Sequence, residues 1–306
     1  MREDVLDLAG CRLEYRLEEG KIFITGYHGT ASGVEVPSEI EGYPVVGIAR
    51  KTFLSHKNLR RIVLPDTLEE VGDWAFAHCD GLVTVELPGK RVRFGRAVFK
   101  ECGRLRRIEI RVDVAKGQEE SAAAAEGVPE LLAAAVWVMD AYYLLDLQEA
   151  GSGEWLGKWD ARLLTILRAS DQEGYSKQVL CGEEDYGSTD LGAFSSGRRK
   201  EKVRLAFLRL LYPLRLSGTC REELEEYLRC HTKGQPGEET WLVLKEEHGN
   251  DRKYYELFAE LSCINEDNYD EILTDMGEGC PEMKAYFMRL RERQTCVEDF
   301  FAGLAL

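Results

Sequence analysis

The residue types best able to do chemistry are few here and poorly spaced for it. The chain has nine cysteines and five histidines. The cysteine count is odd and no pair stands in CxxC spacing, which argues against both a disulfide framework and a structural zinc site. The histidines are His28, His56, His78, His231 and His248, and only His78–Cys79 and Cys230–His231 put a histidine beside a cysteine. Adjacent residues rarely face one metal ion together, and neither pair has a second pair at ligand spacing. Acidic doublets such as Glu183–Glu184 and Glu246–Glu247 nominate no general acid or base in a chain with 55 Asp and Glu. The phosphate-loop pattern GxxxxGK[ST], a strand-borne GxGxxG, HExxH and GxSxG are all missing. The expectation is a non-catalytic protein with no catalytic residue, no metal and no cofactor.

What the sequence does contain is a repeat. VVGIARKTFLSHKNLRRIVLP, LEEVGDWAFAHCDGLVTVELP and KRVRFGRAVFKECGRLRRIEI align without gaps, stepping by 23 residues. Ile48, Val71 and Phe94 form one column, and Phe53, Phe76 and Phe99 the next. Leu59, Leu82 and Leu105 follow, then Ile62, Val85 and Ile108, then Leu64, Leu87 and Ile110. Cys79 matches Cys102, and Gly72 matches Gly95. A unit with one apolar side cannot bury it alone, so it stacks on the next copy and builds a solenoid.

The succession of Phe, Cys and LxxIxLP resembles the BspA-type leucine-rich repeat. The stretch before it, ITGYHGTASGVEVPSEIEGYPVVGI, resembles that family's lead-in coil, with Val34–Pro37 standing where Ile62–Pro65 stand one coil later. The resemblance covers roughly residues 12–111. It implies the solenoid fold and a recognition role, and it implies no catalysis. Secreted members of the family are surface adhesins, but Met1–Gly10 shows no apolar leader. The expectation is therefore a cytoplasmic protein, with a surface adhesin of unseen export route as an alternative.

Alternation along a strand then assigns the faces. In each NLRRIVLP-like segment Leu59, Ile62 and Leu64 point inward, so their neighbours point outward. Arg61, Thr84 and Arg107 make one outward column; Val63, Glu86 and Glu109 make the other, with Glu35 extending it. These residues are the expected binding face for a protein partner, although such a face also has to be polar simply to stay soluble. The last coil is strongly basic, with Arg91, Arg93, Arg96, Lys100, Arg104 and Arg106 as an expected basic patch. Phosphate or nucleic-acid binding there is the alternative function. It is disfavoured because Phe94 and Phe99 belong to the buried columns and an acidic region follows.

Residues 1–115 carry 18 Lys and Arg against 18 Asp and Glu, so the whole net charge of −15 falls on residues 116–306. That step and the end of the repeat place the expected boundary at 115/116. Residues 116–127 read as a linker or short helix, and Val128–Ala150 as a helix. The apolar run Leu131–Leu147 is interrupted by Asp140 and Asp146 and is too short for a membrane span. Val203, Ala206, Phe207, Leu210 and Leu211 trace a helical face that Pro213 ends. Thr219 and Glu222 fit a capping box, and Pro281 fits a helix start. The segment from Asn265 to Arg293 resembles the helix pair of ankyrin-like repeats, but lacks the TPLHxA motif and a fixed period. LCGEEDYGSTD (residues 180–190) reads as a surface or binding loop. The expected architecture is α+β: a short leucine-rich-repeat β-solenoid over residues 1–115, then an acidic all-α helical-repeat domain over residues 116–306. The expected partner is a protein; neither nucleic acid nor membrane is expected, and no oligomeric state is assigned.

Overall fold

In a computed structural model the described residues are 2–111, 125–175, 190–249 and 251–304. The expected linker at 116–127 lies mostly outside them, and the 180–190 loop does so except for Asp190. The chain divides into two compact units, Met1–Thr165 and Ile166–Leu306.

The first unit holds the solenoid. Its strands are β1 (Arg2–Leu8), β2 (Cys11–Glu18), β3 (Lys21–Gly29), β4 (Gly33–Glu35), β5 (Glu39–Ile40), β6 (Tyr43–Ile48), β7 (Arg61–Val63), β8 (Glu70–Val71), β9 (Thr84–Pro88), β10 (Arg93–Phe94) and β11 (Arg107–Arg111). One sheet runs β1-β2-β3-β6-β8-β10, with β5 paired to β6; the other runs β11-β9-β7-β4. The expected columns are present in register. Ile48 pairs with Val71 and Val71 with Phe94, and Ile24 extends the column backward. Phe53, Phe76 and Phe99 are fully buried, with ring centroids 5.0 Å and then 5.5 Å apart in stacked geometry. Tyr27 begins the stack 5.0 Å from Phe53. Each such pair contributes about 0.5–1.5 kcal/mol beyond its area burial.

The coils approach closely because of glycine. A Cβ on Gly72 would lie 2.6 Å from the Arg50 nitrogen, and one on Gly95 2.5 Å from the Asp73 nitrogen. Each turn also holds two non-glycine residues in the left-handed region. Lys51, Trp74 and Ala97 have φ of 61°, 59° and 52°; Ser55, His78 and Glu101 have 63°, 56° and 58°. Each costs about 1–2 kcal/mol in isolation, and those of the first two turns are held by the next coil: Lys51, Phe53 and Ser55 donate to the Asp73, Ala75 and Ala77 carbonyls. Trp74, Phe76 and His78 repeat the pattern on Arg96, Val98 and Lys100.

The buried thiols knit the same coils. Cys79 donates to the Phe53 carbonyl at 3.0 Å and Cys102 to the Phe76 carbonyl at 3.1 Å. Burial pushes the Cys79 thiol up to about 12 and raises Cys102 as well. These cysteines are structural donors, as a small stacked column requires.

The sequence did not announce how the solenoid ends. Helix α1 (Val128–Trp137) packs on β11. A 3-10 turn, Tyr142–Leu144, follows instead of continued helix, so the expected helix to Ala150 stops early. Asp140 takes φ 50°, and the Ala141 N–H bonds back to the Ala135 carbonyl, which closes the helix. The Tyr142 hydroxyl is hydrogen-bonded to the Phe99 backbone, and burial raises its pKa to about 12. Phe53 and Phe76 give their N–H groups to the next coil; Phe99 has no next coil, and Tyr142 stands in for it. Because α1 and this turn complete the last coil, the compact unit runs on past the expected boundary at 115/116. Helix α2 (Gly153–Arg168) lies at the end of that unit and is tied back to it by Trp159, whose Nε1 donates to the Leu131 carbonyl at 3.0 Å.

Among its described residues the second unit is helical: α3 (Leu191–Leu211), α4 (Gly218–Cys230), α5 (Glu239–Glu247), α6 (Arg252–Glu260), α7 (Tyr269–Met276) and α8 (Pro281–Leu304). Helix α3 packs against α4, α5 and α6, and α6 against α8. Tyr255, Phe258 and Phe287 pack together, with Trp241 5.9 Å from Phe258. Pro213 ends α3 and Pro281 opens α8, as expected. The cap of α4 is not Thr219 but Ser217, whose hydroxyl accepts from the Cys220 N–H at 3.2 Å. Arg209 is fully buried and donates to the Tyr212 and Leu214 carbonyls at 2.6 and 2.9 Å, closing the α3 C-terminus. No helix among the described residues is long and apolar enough to cross a membrane.

Candidate binding face

The outward row is built by strands β4, β7, β9 and β11. Their parallel register puts Arg61 beside Thr84 and Thr84 beside Arg107; it puts Glu35 beside Val63, Val63 beside Glu86, and Glu86 beside Glu109. The expected columns are therefore adjacent in space, at the spacing of neighbouring strands, about 4.8 Å.

They are not equally available. Arg61 and Arg107 are about half exposed at 55% and 49%, and Glu109 is 38% exposed. Glu86 is only 13% exposed, because the Arg61 guanidinium is bound to it. Thr84 is half-buried between the two arginines. Val63 departs from the expectation: its register is outward, yet it is 4% exposed and presents no surface to a partner. The exposed residues of the row are Glu35, Arg61, Arg107 and Glu109. Arg107 is oriented by Glu109 at 3.1 Å and by Glu130 of α1 at 3.5 Å. Arg111, a further basic residue of the last coil, reaches across to the Leu64 carbonyl and to Asp66 at 3.1 Å. Sequence alternation alone could have placed it, since it stands two positions beyond Glu109.

The basic patch does not converge. Arg93 pairs with Glu70 at 2.6 Å and Arg96 with Asp73 at 3.1 Å, each one coil back. The Arg96 N–H and guanidinium hold the Asp73 carboxyl below its ordinary value. Lys100 lies over the Trp74 ring and Arg106 over the Trp137 ring of α1. Arg91 and Arg104 are exposed. Helix α1 adds little acid to this coil. Eight of its ten residues are buried, all of them apolar, and Glu130 supplies its ion pair. The acids that meet the basic coil come mainly from the preceding coil.

Among the described residues no three His, Cys, Asp or Glu stand together as a metal site.

A family model for the BspA type leucine rich repeat region, in six copies, matches residues 40–124. Residues 40–124 are a BspA-type leucine-rich-repeat region. The chain is also similar to three solved structures. A leucine rich cell surface protein from Faecalibacterium prausnitzii A2-165 is 24% identical over 35% of this chain and 32% of its own, with TM-score 0.30. A T. pallidum leucine rich repeat protein is 30% identical over 30% of this chain and 55% of its own, with TM-score 0.27. A leucine-rich repeat protein from Bacteroides ovatus ATCC 8483 is 15% identical over 34% and 46%, TM-score 0.23. This chain thus spans between a third and about half of those proteins. The search of curated proteins found no match.

Proposed function

We propose that this chain is a non-catalytic protein-interaction module that binds a protein partner through the outward face of β4, β7, β9 and β11. Leucine-rich repeats generally mediate protein–protein contacts, and residues 40–124 are of that kind. The observation that carries the reading is the in-register row in which Arg61 and Arg107 stand half exposed, each held by a carboxylate on the same sheet. Pre-paired side chains lose less freedom on binding, so a row of them offers directional charge at low entropic cost. Charge sign then selects the partner: acidic groups for the arginines, basic groups for Glu35 and Glu109.

The test is capture of partners from the host by the wild-type chain and by Arg61→Glu/Arg107→Glu, with Arg93→Glu as a control on the basic coil. Loss of the same proteins in the double variant alone supports the face. Retention in the double variant and loss in Arg93→Glu moves the site to the basic coil. Host fractionation separates a cytoplasmic partner from a surface one.

A further inference from the structure

The two ends of the solenoid are finished differently. At one end α1 packs on β11. At the other, the seven-stranded sheet ends on β1, which among the described residues pairs with β2 alone. We propose that β1 is a docking edge that takes an extended basic segment of a partner by strand addition, with the pattern basic–x–apolar–x–basic.

The backbone register defines which groups are free. Strands β1 and β2 pair from Arg2↔Leu17 to Leu8↔Cys11 without a bulge, joined by the two residues Ala9 and Gly10. In a hairpin closed by a two-residue turn, the closing pair exchanges both hydrogen bonds and the pattern alternates from there. Leu8, Leu6, Asp4 and Arg2 therefore bond to β2. The N–H and carbonyl groups of Glu3, Val5 and Asp7 point away from the sheet. The Val5 N–H confirms the parity: it is met by the Asp4 carboxylate at 2.9 Å, not by β2.

Natural sheets blunt such an edge with proline, bulges or a covering element. β1 has no proline and no bulge. Its protection is charge: Glu3 and Asp7 flank Val5 on the open side, and Asp7 is held from β2 by Arg12 at 2.7 Å. Glu3, Val5 and Asp7 are all exposed, with Val5 at 48%. Val5 and Asp7 also border an open hollow of about 490 Å³ shared with Cys11, Arg12, Glu14 and His28. Arg2 is drawn away to Asp4 and Glu41. A second copy added antiparallel about Val5 would set Glu3 against Asp7, and like charges directly opposite repel. A strand with Lys or Arg opposite Glu3, a second one sharing the Asp7 carboxylate with Arg12, and an apolar residue opposite Val5 fits the row. Its carbonyl opposite Val5 displaces the Asp4 carboxylate, which holds that donor in the free protein. This mode uses main-chain bonds for affinity and alternate side chains for choice. It is separate from the sheet face above and stands or falls independently of it.

The test is an NMR titration of the full chain with acetyl-Thr-Lys-Thr-Val-Thr-Lys-Thr-amide at low salt, against the same peptide with Glu for Lys. The expected result is slowed exchange at the Glu3, Val5 and Asp7 amides and at least fivefold weaker binding of the Glu peptide. Val5→Pro removes an outward N–H, a replacement edge strands tolerate. It should weaken binding at least tenfold while leaving the β2 and β3 resonances in place. Glu3→Lys/Asp7→Lys, both exposed, should reverse the peptide preference, which keeps the test sharp if the proline variant misfolds. Equal binding of both peptides, unchanged binding by Val5→Pro with β2 and β3 intact, or no effect on β1 up to the peptide's solubility overturns the proposal. Concentration-dependent changes at β1 without peptide would assign the edge to a second copy and also overturn it.

Discussion

The solenoid and the helical unit are stabilised in opposite ways. In the solenoid a contact made once is made again one coil later: Phe53 on Phe76 and Phe76 on Phe99, Cys79 on the Phe53 carbonyl and Cys102 on the Phe76 carbonyl. In the helical unit the decisive contacts are used once. Trp241 gives its Nε1 to Asp275 at 2.6 Å, and Lys245 approaches the same carboxylate at 2.8 Å. Burial raises the Glu239 carboxyl, but Arg199 and Ser196 hydrogen bonds leave it below its ordinary value. Repetition spreads stability along a stack, so one broken layer damages its neighbours. Single-use contacts concentrate it, so each loss stays local.

Substitutions measure that contrast. Phe76→Ala removes the middle ring of the stack and should cost about 3–5 kcal/mol in urea unfolding. Hydrogen exchange should accelerate across β6, β8 and β10 together; acceleration confined to one coil would break the picture of a shared stack. Arg209→Met is the helical counterpart. It deprives two carbonyls of a buried charged donor and should cost about 2–3 kcal/mol, with exchange rising near 209–216 alone. Tyr142→Phe leaves the packing but strips the hydroxyl from the Phe99 backbone. It should cost about 1–2 kcal/mol and loosen the last coil without touching β6; no change would mean that the apolar contacts of α1 suffice to end the stack. Smallest is the cap of α4: Ser217→Ala should cost about 1 kcal/mol and Thr219→Ala less than half of that, both read from thermal unfolding. The reverse order would restore the capping box read from sequence.

The same contrast explains what could be read beforehand. The columns of Ile48, Phe53, Leu59, Ile62 and Leu64 were legible because each recurs at a fixed step, and a period is visible in one sequence. The outward row followed from alternation, and its register proved correct. Its exposure did not follow, because burial of Val63 depends on what lies beside it and not on its parity. The strands β1 and β2 were missed, since their charged residues carry no period linking them to the coils. Tyr142 was missed because one hydroxyl meeting one backbone group leaves no pattern. Ser217 was passed over for Thr219 because both are good caps, and only the chain's turn after Pro213 chooses between them. The charge step at residue 115 was real, but a composition boundary ignores that a solenoid needs its end covered, and α1 does that within the first unit.

The proposed binding face is the row of β4, β7, β9 and β11. Its most direct test is the dissociation constant of a purified captured partner for the wild-type chain, for Arg61→Glu/Arg107→Glu and for Arg93→Glu, each first shown to unfold at the same urea concentration. The predicted result is at least tenfold weaker binding by the double variant and unchanged binding by Arg93→Glu. Equal affinity for all three would contradict it.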